Sequence, residues 1–378
     1  MKIVISLIWL RHKVAGGVES FTRNILDGLK DDQSNNQYYL LCSRDNIESF
    51  QEYSSDPRFS IIECPVTTAS LRQTLVYESF KLDNLVTKLK ADICFVPAYR
   101  MPLLFKKNKY VVVIHDLISC NYPQLFDWKR RLWLNFASKR AAINANKVIT
   151  ISNFVKEDIV NRFSINKDKI RTIYNPILPS KDTVPFQQIT EKYGIKENQY
   201  FYTVSSLASN KNLMTLLKLM SELQSNEKYR DYKLLISGVG LSASAKSKFN
   251  AQPYIDYIKE NGLENKCILT GFVSNEERNT LIKGCSLFLF ASIFEGFGMP
   301  VVEALEFGAK VLTTRCASIP EVSQNKAFYV EDPYNVDEWS SQIDIHINDE
   351  PRIIHFSEYE IKNVISHYLE EFMLVSNS

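Results

Sequence analysis

The chain has 378 residues, 45% of them hydrophobic and 23% charged, and its 45 Lys and Arg against 43 Asp and Glu leave a net charge of only +2. Such a make-up fits a soluble globular protein of two domains, each long enough to bury its own core. It gives no support to a protein that coats nucleic acid, although local basic patches are compatible with it.

The opening MKIVISLIWLRHK could be taken for a signal peptide, but its apolar run is short and its basic residues follow that run instead of preceding it. It reads as a first β-strand. No stretch approaches the ~18 consecutive apolar residues of a membrane-spanning helix. Seven cysteines, at 42, 64, 94, 120, 267, 285 and 316, form no Cys-x-x-Cys pair and mostly sit in strand-like runs. They read as buried free thiols in a reducing compartment, so a cytoplasmic protein is expected. The five histidines do not cluster, so no metal site is expected.

Short apolar runs alternate with helix-length segments along the first half. KIVISLIWL (2–10), YYLLC (38–42), FSIIEC (59–64), DICFV (92–96), YVVVIHD (110–116) and KVITIS (147–152) read as strands buried on both faces. Glu19–Lys30, Ser70–Lys90 and Trp128–Asn144 lie between them as helices. Repeated strand-then-helix predicts a doubly wound parallel sheet, an α/β fold. NPILPSKDTVPFQQ (175–188) holds three prolines and reads as a linker, after which the pattern restarts. YFYTVSS (200–206), YKLLISG (232–238), KCILTGFV (266–273), SLFLFAS (286–292) and KVLTT (310–314) form the second set of strands. The expected domains are 1–180, 181–352 and a closing segment 353–378, whose apolar residues at 361, 364, 365, 368 and 372 make a helical stripe that needs a surface to lie on. Two such domains facing each other place a cleft at the carboxyl ends of both sheets, where ligands bind.

The residues that directly follow strands are therefore the candidates. Gly16 and Gly17 permit a sharp turn with free amides at the next helix start, or make a simple turn. No complete Gly-x-Gly-x-x-Gly is present, which argues against a nicotinamide dinucleotide. His115 ends a central strand, where it can donate a hydrogen bond or carry charge, unless HD is only a helix-entry turn capped by Asp116. Lys211 stands at the first turn of a helix, where an ammonium can meet phosphate or simply be solvated. Gly238, Gly240 and Gly271, the last followed by Phe272 and Val273, mark further strand ends. The stretch FEGFGMPVVEA (294–304) places Glu295 on a loop, Gly296, Phe297 and Gly298 in a close turn, and Pro300 at the first helical position. Glu303 follows about one turn into that helix. Free amides over Gly298, Met299 and Val301 form an anion site, and the flanking carboxylates can each accept two hydrogen bonds from a vicinal diol. Two glutamates at one helix entry exceed what capping requires.

FEGFGMPVVEALEFGAKVLTT…SIPEV resembles the E-x7-E signature of the retaining family-4 glycosyltransferases of the GT-B fold. The glycine pair, HDL, ANKVITISNFVKEDI with IRTIYNP, SLASNKNL, ISGVG and LTGFVSNEE occur in that family's order, so the resemblance covers almost the whole chain. It implies two Rossmann-like domains around a central cleft and a closing helix that crosses back to the first. It implies that Glu303 holds the ribose of a UDP- or GDP-linked sugar. Glu295, Gly296, Phe297 and Gly298 would hold the sugar, the amides from Gly298 onward the diphosphate, and Lys211 the leaving charge. His115 would face the transferred sugar, Gly17 would approach the phosphate, and Phe272 and Val273 would lie near the base. No metal or other cofactor is implied. Many members carry an arginine where this chain has Ser206 or just before the lysine, where it has Asn210, so Lys211 is left as a single cation.

The first domain would take a saccharide acceptor, which in this family is often lipid-linked and used in capsule, exopolysaccharide or O-antigen synthesis. LLFKKNKY (103–110) and FDWKRRLWLNFASKR (126–140) are basic. Leu125, Trp128, Leu132 and Phe136 recur at helical spacing beside Lys129, Arg130, Arg131, Lys139 and Arg140. That pattern suits either an anionic membrane surface at the cytoplasmic face or a core helix with a solvated basic side. A non-catalytic subunit supporting a partner transferase, and a nucleotide-sugar epimerase, are the competing expectations.

Overall fold

The computed structural model describes residues 1–12, 16–102, 107–177, 182–238 and 251–378. The chain forms two compact units, Met1–Leu178 with Ser357–Ser378, and Pro179–Phe356. The middle of the expected linker, Gly240 and most of the LLFKK run lie outside the described residues.

The first unit is built on seven parallel strands: β1 (Lys2–Ser6), β2 (Gln37–Ser43), β3 (Phe59–Cys64), β4 (Ile93–Val96), β5 (Tyr110–Ile114), β6 (Lys147–Thr150) and β7 (Ile170–Thr172). Their order is β3-β2-β1-β4-β5-β6-β7. Chain progression therefore reverses between β1 and β4, where Ile3 stands opposite Tyr38 on one side and Ile93 on the other. The central strands β4 and β5 are buried along their whole length, as both-face helix cover demands. Val4, Cys94, Val112 and Val148 from successive strands pack with Leu82, Val86, Ala141 and Ile159 from the helices in one core.

The second unit repeats the plan with β8 (Tyr200–Val204), β9 (Lys233–Ser237), β10 (Cys267–Gly271), β11 (Leu287–Phe290), β12 (Val311–Thr314) and β13 (Phe328–Val330), all parallel. The order is β10-β9-β8-β11-β12-β13, with the reversal between β8 and β11. Phe201, Leu234, Leu287 and Leu312 pack against Leu216, Met220, Trp339 and Ile343 in its core.

β7 and β13 are absent from the strands expected above, and the physical reason is common to both. Each has three residues at a sheet edge, too few to show a periodic pattern. β1 also stops at Ser6 and not at residue 10. The second unit runs to Phe356, past the expected boundary at 352. Ile354 N–H donates to the Leu305 carbonyl and Phe356 N–H reaches Glu306, which ties 353–356 to that unit.

The Ile361–Asn377 helix belongs to the first unit, as the family resemblance implies. Its Val364, Ile365, Tyr368 and Phe372 are buried, and the rings of Tyr368 and Phe372 pack on Phe95 of β4 at 5.6 and 5.1 Å. Burying each such side chain contributes about 1.5–3 kcal/mol. Gly28 of the Gly17–Asp31 helix lies directly beneath, since a Cβ there would meet Ile361 Cγ1 at 2.7 Å.

Candidate functional site

In doubly wound sheets, ligands bind outside the carboxyl ends of the strands where the order reverses. In the second unit that point lies between β8 and β11. The residues that follow those strands are 205–211 and 291–298, which hold most of the candidates.

Asn210 makes three hydrogen bonds that join the two loops. Ile293 N–H and Ser292 Oγ–H donate to the Asn210 carbonyl at 2.8 and 3.0 Å, and Asn210 Nδ2 donates to the Phe294 carbonyl at 3.0 Å. Asn210 is buried, so its amide positions the glutamate loop and is not offered to a ligand. That corrects its assignment to the nucleotide-sugar contacts. The neighbouring Lys211 and Glu295 are brought together by this joint, with Nζ and Oε1 2.5 Å apart. Their side chains are 24% and 14% exposed, so each retains an open side. Ser206 is half-buried, and its Oγ accepts the Ala208 amide at 3.5 Å.

Below the glutamate loop, the buried Ser318 hydroxyl stands 2.9 Å from the Glu295 carbonyl and 3.0 Å from that of Phe297. One proton shared between two carbonyls fixes the turn on both sides of Gly296. Phe294 and Phe297 are buried and anchor it further. Gly298 adopts φ 97°, a left-handed conformation that favours glycine, and caps the Met299–Glu306 helix. Pro300 is its second residue and Met299 its first, one place from the expectation. The Val301 amide donates to the Gly298 carbonyl at 3.0 Å, so it is not part of an anion cradle. The amides of Gly298 and Met299 have no hydrogen-bond partner among the described residues, and they form what remains of it.

Glu303 sits on the same helix with its carboxylate 3.7 Å from Arg278 Nη2. Burial pushes this carboxyl above the usual range, Arg278 opposes the rise and Glu306 adds to it. Arg278 belongs to the Asn275–Gly284 helix, and its Nε is buried without a hydrogen-bond partner. The sequence reading missed this arginine. Its only signal was helical register, four residues after the Ser274 cap that accepts the Glu277 amide. A second cation is therefore present in the unit, next to Glu303 and not next to Lys211. Phe272, following β10, is 91% exposed, with Val273 half-buried beside it.

Gly238 serves the sheet itself. It has φ 87°, and a Cβ would lie 2.5 Å from the Ser205 carbonyl, so only glycine lets the ends of β8 and β9 come this close.

In the first unit, His115 follows β5. Its Nε2 lies 3.0 Å from the Pro97 carbonyl, which can only accept, so Nε2 carries the proton and Nδ1 is left as an acceptor. Phe21 packs edge-on at 4.7 Å. Burial lowers the imidazole to about 4, with the Pro97 bond opposing. His115 is therefore neutral near pH 7, and the expectation that it might carry charge is corrected. Gly16 and Gly17 begin the Gly17–Asp31 helix, and a Cβ on either would meet nothing within 4 Å.

Lys211, Glu295 and the Gly298 and Met299 amides thus lie at one strand end, and Glu303 with Arg278 follows on the helix that begins there. The cation and amides can take an anion, and the carboxylates can accept hydroxyl protons.

Residues 15–181 match the profile of Glycosyltransferase Family 4, and residues 185–363 that of Glycosyl transferases group 1. The chain is similar to O-antigen chain mannosyltransferase B of Escherichia coli, 24% identical over 283 residues that span 72% of this chain and 71% of that protein. It is 27% identical over 311 residues to O-antigen chain mannosyltransferase RfbU of Salmonella typhimurium, 80% of either chain. Among solved structures, a glycosyltransferase from Rickettsia africae superposes with a TM-score of 0.73 at 18% identity, covering 99% of this chain and 98% of that one. With both units matched in order and the glutamate pair set on the switch-point loop and helix, the chain belongs to the family-4 glycosyltransferases.

Proposed function

We propose that this glycosyltransferase moves a hexosyl group, with retention at the anomeric carbon and without a metal ion, from a UDP- or GDP-linked sugar to a lipid-linked saccharide at the cytoplasmic face of a membrane. The observation that carries the reading is the Lys211–Glu295 pair at 2.5 Å beside the open Gly298 and Met299 amides. A departing diphosphate needs compensating charge, and one ammonium with two helix-start amides supplies it where other sites use a divalent cation. Glu303 takes the ribose hydroxyls, with Arg278 beside it opposing the rise that burial imposes on its carboxyl. Glu295 takes the sugar hydroxyls while orienting Lys211, and Phe272 and Val273 flank the base. His115 acts as a neutral hydrogen-bonding group. Mannose is the first sugar to test, since both relatives above are named mannosyltransferases.

The membrane part of the reading rests on the Trp128–Asn144 helix. Trp128, Leu132 and Phe136 are 62%, 55% and 54% exposed, while the residues it buries are Ala137, Ser138, Ala141 and Ala142. The apolar stripe thus faces outward, which supports the membrane reading over that of a core helix. The helix carries five basic residues and no acidic one, which suits an anionic bilayer.

UDP and GDP titrated calorimetrically into the wild type and Glu303→Ala test the donor site. One nucleotide should bind, and the variant should weaken it by roughly tenfold or more. Binding of neither would overturn the reading in favour of a non-catalytic subunit.

A further inference from the structure

The second sheet has an edge that the donor site does not use. Its strands are all parallel, so their amino ends lie opposite the loops that carry Lys211 and Glu295. A groove of about 400 Å³ opens at that edge, against Val311 at the start of β12 and Phe328 at the start of β13. The rest of its wall comes from the end of the Met299–Glu306 helix and the turn after it, from Lys326, and from the segment 349–354. We propose that this groove is a second binding site, separate from the donor site, and that it takes a phosphorylated sugar whose binding is felt at the glutamate loop. The site stands apart from the transferase reading; its link to the donor loop rests on that reading.

The charge of the groove is unbalanced. Lys310, Lys326 and Arg352 line it with two carboxylates, Asp349 and Glu350. Asp349 is already engaged, by the Nδ1–H of His346 at 2.7 Å. Lys326 and Arg352 are exposed and make no ion pair or side-chain hydrogen bond among the described residues. Lys310 is half-buried, and its ammonium donates one of three protons to the Ile347 carbonyl, just past the Val336–His346 helix. Burial holds this ammonium below the usual lysine range, although Asp349 and Glu350 oppose the shift. A negative group entering the groove would therefore stabilise the charge on Lys310 as well as meet Lys326 and Arg352. A phosphate monoester presents enough charged oxygens for all three cations.

The remaining lining sets the body of the ligand. Leu305, Val311, Phe328 and Ile354 give an apolar wall, and Glu350 is a carboxylate with no partner among the described residues. A pyranose suits that mixture, with its C–H face on the wall and a hydroxyl donating to Glu350. The volume is in the range of small-ligand sites. Inorganic phosphate would leave the wall and Glu350 unused, and a neutral sugar would leave the cations unused.

One helix joins this groove to the donor site. Met299, whose amide has no partner among the described residues, begins it, and Leu305 of the groove wall lies in its last turn, about 9 Å along the axis. The groove segment is bonded to that helix end. Ile354 N–H donates to the Leu305 carbonyl at 3.0 Å, and Phe356 N–H to the Glu306 carboxylate at 3.4 Å. Gly308 packs closely here too, since a Cβ would stand 3.1 Å from Ile353 Cγ1. A ligand that holds 349–354 against the helix end biases the same helix whose start carries the Gly298 and Met299 amides. By linkage, a nucleotide at that start must change the affinity for the sugar phosphate by the same factor as the sugar phosphate changes its own.

The test is calorimetric titration of the full chain with a hexose 1-phosphate, a hexose 6-phosphate, inorganic phosphate and the free hexose. Each is run on the wild type and on the Lys326→Gln, Arg352→Gln double variant, whose replaced side chains are exposed and unpaired among the described residues, so the fold should be unaffected. At least one sugar phosphate should bind roughly tenfold or more tighter than inorganic phosphate or the hexose, and the double variant should lose that preference. No such preference, or one that survives in the double variant, overturns the site. The titrations are repeated with UDP or GDP, whichever binds, at saturation. Sugar-phosphate affinity should then shift about fivefold or more, and an unchanged affinity overturns the link to the donor loop. Binding abolished by the nucleotide but untouched in the double variant places the sugar phosphate in the donor site and overturns the proposal. Nucleotide binding with no sugar-phosphate preference sinks the groove and leaves the transferase reading standing. Sugar-phosphate preference with no binding of either nucleotide does the reverse.

Discussion

Lys211 and Glu295 stand 84 residues apart in the chain, yet their charged atoms lie 2.5 Å from each other. The pair forms because β8 and β11 are neighbours at the reversal of the second sheet. If Lys211 takes the charge of a departing diphosphate, Lys211→Ala should lower turnover at least roughly tenfold, as losing a charge-assisted contact of about 1.5–3 kcal/mol requires. Lys211→Arg should recover part of it. Initial rates with the donor that binds would decide, and near-normal turnover in the alanine variant would sink the phosphate role.

Asn210 is expected to matter for stability first and for the ligand second. Asn210→Ala removes the donor to the Phe294 carbonyl inside a buried joint, at a cost of about 1–3 kcal/mol. Thermal unfolding of the empty protein should show the loss. Unchanged stability with weakened nucleotide binding would instead mark Asn210 as a direct contact.

His115 makes the fold sensitive to acid. The unfolded chain takes up a proton near the ordinary value of 6.5, whereas the folded imidazole resists until about 4. Stability therefore falls as pH drops through that window, by about 1–2 kcal/mol at pH 5. Asn at this position keeps a donor for Pro97 and does not titrate. The melting temperature of the wild type should fall more than that of His115→Asn between pH 7.5 and 5. Parallel curves would mean that the ring is more open to water than its surroundings indicate.

The closing helix depends on a missing side chain. Gly28→Leu would drive a side chain into Ile361 and Ile365, so the Ile361–Asn377 helix should lift from the first unit at a cost of about 1–3 kcal/mol or more. Limited proteolysis would show early cleavage near residue 357. Wild-type resistance to protease would show that the helix adjusts in place.

The outward stripe makes a prediction about membranes. The wild type should float with vesicles that contain anionic lipid and not with neutral ones. Replacing Trp128, Leu132 and Phe136 by serine should abolish flotation while nucleotide binding stays unchanged, since these residues lie outside the second unit. Dimerisation of the wild type without flotation would assign the stripe to a second copy of the chain.

Much of the architecture was legible before any coordinates. Runs such as YVVVI and SLFLFA are short, apolar throughout and separated by helix-length segments, and only a covered parallel sheet accommodates that. The E-x7-E block was legible for a related reason. Its geometry is local, a glycine turn running into a helix start within eleven residues, so spacing alone conveys it. The limits lay in what spacing cannot carry. Val301 looked like a free amide until the turn closed on the Gly298 carbonyl. Ser318, whose hydroxyl holds the glutamate loop, gave no signal beyond an ordinary serine in SIPEV.

The sequence by itself determined two doubly wound domains, the returning helix, the family and the glutamate block, because periodicity and short-range turn chemistry are written in consecutive residues. Tertiary structure alone decided that Asn210 braces the site, that Arg278 stands by Glu303, that His115 is neutral, and that Trp128, Leu132 and Phe136 face outward. Each of these depends on strand order or on which face of a helix is covered. A helical repeat shows that two faces differ; it cannot say that Ala137 and Ala141, being small, are the ones that fit closely against the sheet.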